Sequence, residues 1–185
     1  MSRGQLAILG MLGMALLAAG LGLWWRHVHT RQALEFWGPA AAQLIAQADK
    51  VEAMLVEPLA GQSGESIGRY QEFLQVDFEQ YGIVAMKNVT NAPGFLNARH
   101  ALTLGKSFDW RVDPSACQPT WRYALRYSSQ ADQVTILLSF PCKMIRLSDS
   151  DRTAGIGPIA KGLETVLNEQ LSVSPASGSD SARKE

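Results

Sequence analysis

Three sets of residues have types and spacings that could do chemistry. Gly64-Glu65-Ser66-Ile67-Gly68 matches G-x-S-x-G. That turn exposes a nucleophilic serine when a strand enters it, a helix leaves it, and an acid and a histidine follow. Here a glycine- and serine-rich loop enters it, and the only histidine downstream is His100. Ser66 therefore suits a helix cap better than a nucleophile. His27 and His29 are spaced for a metal pair on a strand or loop, but no third ligand of suitable type lies near. His100 falls in a predicted helix with no cysteine–histidine cluster and reads as structural. There is no P-loop, dinucleotide fingerprint or H-E-x-x-H. No catalytic set converges, so a non-enzymatic protein without metal or cofactor is expected.

The third set is Cys117 and Cys142, too far apart for a C-x-x-C redox motif. They bracket a predicted β-hairpin. Trp121, Tyr123, Leu125 and Tyr127 alternate with Arg122, Ala124 and Arg126, a period of two with aromatic residues. The second arm, Asp132–Phe140, carries the β-branched run Val134-Thr135-Ile136. A turn centred on Ser129-Gln130 would place Tyr123 opposite Ile136, Leu125 opposite Val134 and Cys117 opposite Cys142. The two cysteines are then expected to close the open end of the hairpin as a disulfide. Two reduced core thiols are the alternative. Arg122, Arg126 and, further along, Arg146 would line the polar side. They form a candidate interaction face for an anionic partner or lipid headgroups, against the plainer reading of a solvated face.

These groups need a scaffold. The chain has 185 residues, with 17 Lys+Arg against 17 Asp+Glu, enough for one domain plus an appendage and with no charge argument for nucleic acid. Residues 6–25 are uncharged and about 20 residues long, which is the length of a membrane span. Trp24-Trp25-Arg26 at its end suits an uncleaved signal-anchor better than a cleaved signal peptide. The cysteine pair would put the C-terminal domain in the periplasm, with the chain crossing a bacterial inner membrane once. Ala15/Ala19 and Ala18/Gly22 are small-residue pairs that would allow a homo-oligomer.

Leu34, Trp37, Ala41, Leu44, Ala48, Val51 and Leu55 recur at spacings of three and four, predicting a helical stem over 26–57. Gly38-Pro39 interrupts that stem, and Lys50–Val56 as a short strand is the alternative. Ile67 to Tyr81 matches a helix with Gly82 as its cap, although Leu74, Val76 and Phe78 also alternate. Ile83–Val89 and Ser107–Val112 are expected strands, and Phe95–Leu104 and a segment opened by Pro158 are expected helices. Lys143–Leu147 is expected to prolong the second arm. From Ser172 the composition predicts a disordered tail.

Cys117-Gln118-Pro119-Thr120-Trp121 with Ser139-Phe140-Pro141-Cys142 resembles small bacterial envelope proteins whose hairpin carries one cysteine on each arm. Arg3-Gly4 before a long apolar helix, an α+β domain and a late cysteine pair is similar in layout to type IV pilins and pseudopilins. The second resemblance implies a structural subunit. The expected architecture is α+β: a transmembrane anchor over 1–25, a helical stem over 26–57, an α+β domain with an antiparallel hairpin or sheet packed by helices over 58–171, and a tail over 172–185. The expected role is a membrane-anchored binding or assembly module with a protein partner in the envelope. The alternatives are a pilin-like or secretion-system structural subunit, and an inhibitor or immunity protein against an envelope-acting enzyme.

Overall fold

The computed structural model describes residues 3–59, 70, 72–76, 79–130 and 132–171; the side chains of residues 3–9, 25–30 and of Pro114 are outside that description. The predicted tail, the G-x-S-x-G segment and the side chains of His27 and His29 therefore lie outside the described residues.

Helix α1 (Arg3–Trp37) ends because Gly38 takes φ 76, a left-handed conformation that glycine adopts without a Cβ penalty. Its N–H closes the helix on the Leu34 carbonyl at 2.9 Å. Pro39 then opens α2 (Pro39–Gln47) at a position where a missing N–H costs nothing. Strand β1 (Lys50–Pro58) follows, then β2 (Phe73–Val76), β3 (Glu79–Asn88), helix α3 (Phe95–Leu102), β4 (Tyr123–Ser129), β5 (Asp132–Ser139), β6 (Met144–Leu147), β7 (Thr153–Gly155) and helix α4 (Gly157–Leu171). The strands form one antiparallel sheet in the order β2-β3-β1-β4-β5-β6-β7. The fold is α+β.

Both faces of this sheet are packed. On one, Val51, Leu125, Tyr127, Ile136 and Ile145 meet residues of all four helices. On the other, Met54, Val56, Ala124, Leu137 and Met144 are joined by Trp121 and Val112 from the segment between α3 and β4. β1 is central and buried on both sides, with Val51, Ala53, Met54 and Val56 all fully covered. A strand buried on both faces reads as a near-continuous apolar run, which is why a helical stripe matches it by chance. The strand alternative for Lys50–Val56 is the one found, and the stem expected over 26–57 instead runs through α2 into the sheet. β2 shows why 67–81 is not one helix: Leu74 and Val76 are buried while Phe73 and Gln75 are exposed, a period of two. Lys143–Leu147 does not prolong β5 either. The chain reverses at Phe140–Lys143, with Lys143 at φ 52, and β6 returns antiparallel to β5.

The expected N-terminal transmembrane helix is corrected. Among the described residues no helix is long and apolar enough to cross a membrane. Residues 6–9 and 25 of the expected span have no described side chains. The membrane contact through residues 6–25, the signal-anchor, the single-pass inner-membrane topology, the periplasmic placement and the envelope partner inferred from them are withdrawn with it. So is the resemblance to membrane-anchored envelope proteins, of which the disulfide-tied sheet domain alone is found.

Candidate functional site

The β4–β5 hairpin forms, with a register two residues from the expected one. Tyr123 pairs with Leu138, Leu125 with Ile136 and Ser129 with Asp132. The tight turn falls after Ser129, with Gln130 at φ 42 in the left-handed region that two-residue hairpin loops need. A shift of two preserves which side chains share a face, so the alternation was readable even though the partners were not. Cys117 and Cys142 are joined, with their Cα atoms 5.8 Å apart. Neither lies in the ladder. Cys117 follows the 3-10 turn Pro114–Ala116, and Cys142 sits in the reversal between β5 and β6. Asp113 caps that 3-10 turn, accepting from the Ser115 hydroxyl at 2.7 Å and the Ser115 N–H at 2.9 Å. These bonds hold its carboxyl below the usual carboxylate range. The disulfide thus ties the segment that delivers Trp121 to the end of the central hairpin.

Each of the three arginines has a distinct setting. Arg126 lies opposite Glu52 on β1 and Thr135 on β5, and its Nη1 stands 3.6 Å from the Glu72 carboxylate. Its Nε is buried without a hydrogen-bond partner among the described residues. Arg146 places its guanidinium 5.8 Å from the Trp121 ring centre, a cation–π contact. Arg122, which immediately precedes β4, is exposed. Two of the three are thus engaged with groups of their own chain. His100 is exposed on α3, and no group of three metal-ligating residues occurs among the described residues.

Three features differ from the sites the sequence offered. The first is α1 as an arm. Its last turns belong to the domain: Ala33, Phe36 and Trp37 are buried, Phe36 packs edge-on to Trp37 at 4.6 Å, and both rings meet Phe108. Arg152 Nη1 donates to the Glu35 carbonyl at 2.8 Å. Residues 10–24, by contrast, are all exposed, including Met11, Leu12, Met14, Leu16, Leu17, Leu21, Leu23 and Trp24 at 58–73% of their full surface. The second is a shallow, uncharged groove of about 440 Å³ between α3 and α4, floored by Gly94, Ala98, Ala101 and Gly162. The third is a cleft of about 540 Å³ between α2 and the β4–β5 turn. Both volumes fall in the range of small-ligand sites.

No protein family, no curated protein and no solved structure matches this chain.

Proposed function

We propose that this protein is a non-enzymatic structural subunit, a disulfide-tied α+β head that assembles through the apolar arm of α1. One observation carries the reading: the arm leaves a packed aromatic cluster and then presents fifteen successive exposed residues, 10–24, none of them charged. Proteins that stand alone rarely expose a contiguous apolar patch beyond a few hundred Å². Ala15, Ala18, Ala19 and Gly22 would let a second helix approach closely along one side of the arm. The layout of arm and head is what a pilin-like or secretion-system structural subunit needs.

The test is sedimentation of the full chain in mild detergent over a range of detergent-to-protein ratios, beside a variant carrying Leu12→Gln, Leu16→Gln and Leu23→Gln. Discrete multimers that the triple variant reduces to monomers are expected. A monomer at every ratio would overturn the reading, as would monomeric capture of the full chain by phosphatidylcholine vesicles.

A further inference from the structure

We propose that the cleft between α2 and the β4–β5 turn binds a short, extended peptide through its main-chain amides. Four of the twelve glutamines in the chain line this one cleft. Gln43 and Gln47 stand on the α2 wall, and Gln130 and Gln133 on the hairpin wall. All four are exposed, and none makes a side-chain hydrogen bond among the described residues. Between them lies an apolar floor that includes Leu44 and Val134. A carboxamide offers one acceptor and two donors, the complement of a peptide unit's N–H and C=O.

The spacing favours an extended chain. Residues four apart on a helix rise about 6 Å and share a face. In an extended peptide, backbone groups on one side repeat every two residues, or about 6.7 Å. Gln43 and Gln47 therefore match successive peptide units on the near side of such a chain, and the hairpin glutamines face its far side. Among the described residues the cleft has no aromatic ring to stack on a sugar, and the one charge lining it is Asp132, which disfavours an anionic ligand. Two features fix the hairpin wall. Ser129 Oγ is bonded to the Asp49 carboxylate at 2.5 Å, and Gln130 holds its left-handed turn position where glycine or asparagine would be easier. The inference is independent of how the α1 arm is covered.

The experiment is a titration of ¹⁵N-labelled full-length protein in mild detergent with acetyl-Ala-Lys-Ala-amide, following the side-chain amide resonances. Saturable shifts at the four glutamines are expected, with a dissociation constant on the order of 1 mM. Gln43→Ala and Gln133→Ala, both at exposed positions, should each weaken binding about tenfold. The same peptide methylated at its backbone nitrogens should not bind. Shifts that never saturate, affinity unchanged from the parent in both alanine variants, or tighter binding of di-N-acetylchitobiose than of the peptide would each overturn the proposal.

Discussion

The indole N–H of Trp37 donates to the carbonyl of Leu102 at 2.8 Å, joining the last residue of α1 to the last residue of α3. The acceptor is one of the carbonyls that a helix C-terminus leaves without a partner, and the contact is buried. It fixes the last turn of α1 to the head. Trp37→Phe keeps most of the ring and removes the donor, so a loss of about 1–3 kcal/mol is expected. Trp37→Ala also opens a cavity among Phe36 and Phe108 and should cost about 3–5 kcal/mol. Urea midpoints followed by circular dichroism check both, and an unchanged midpoint in the phenylalanine variant would show that the bond contributes nothing.

The Cys117–Cys142 bond closes a loop of sequence separation 25. Loop-closure entropy assigns such a bond about 3 kcal/mol of stabilisation. Reduction with alkylation, or the paired change Cys117→Ser with Cys142→Ser, should lower stability by about that amount. Trp121 is the local reporter, because it is buried and comes from the tied segment. Near-ultraviolet circular dichroism and unfolding midpoints, with and without reductant, measure both effects. Identical midpoints would leave the bond without a structural role.

Tyr127 is fully buried, and its hydroxyl has no hydrogen-bond partner among the described residues. An unsatisfied buried hydroxyl is a standing cost, so Tyr127→Phe should be neutral or stabilising by up to about 1 kcal/mol. Burial also pushes the phenol well above its ordinary value of 10.0, with the Arg99 charge opposing the shift. The folded state therefore keeps its proton where the unfolded chain loses it. The associated stability is fully present below about pH 10 and is lost as pH rises further towards the folded value. Tyr127→Phe should flatten that alkaline decline. A variant less stable than the parent at neutral pH would mean that the hydroxyl has a partner after all.

The sequence was most legible where one face of an element is dry and the other wet. The alternation in Trp121–Tyr127, the stop at Gly38-Pro39 and the helix opened by Pro158 all have local causes and were readable. β1 was not, because burial on both sides erases the period of two. The register of β4 against β5 depended on one turn position, and nothing in Ser128-Ser129-Gln130-Ala131 marks which residue takes the positive φ. The glutamine cleft was beyond reach for a different reason. Gln43 and Gln47 come from one element and Gln130 and Gln133 from another, and only the packing of α2 on the hairpin brings them together.

Gly82 gives the last prediction. It reads as a helix cap in the sequence but lies within β3, opposite Phe73 on β2 and Glu57 on β1. The reason is Tyr70, whose ring lies so close over the strand that a Cβ at residue 82 would stand 2.5 Å from its Cγ. From that position the Tyr70 hydroxyl donates to the Glu57 carboxylate at 3.1 Å. Gly82→Ala should displace the ring, break that bond and cost about 1–3 kcal/mol. Limited proteolysis around residue 70 should then be faster than in the parent. The mechanism predicts strong coupling, because once Tyr70→Ala has removed the ring there is nothing left for the new methyl group to strike. The double variant Tyr70→Ala with Gly82→Ala should therefore be little worse than Tyr70→Ala alone. Additive losses in that cycle would show that residue 82 is glycine for some cause other than the ring above it.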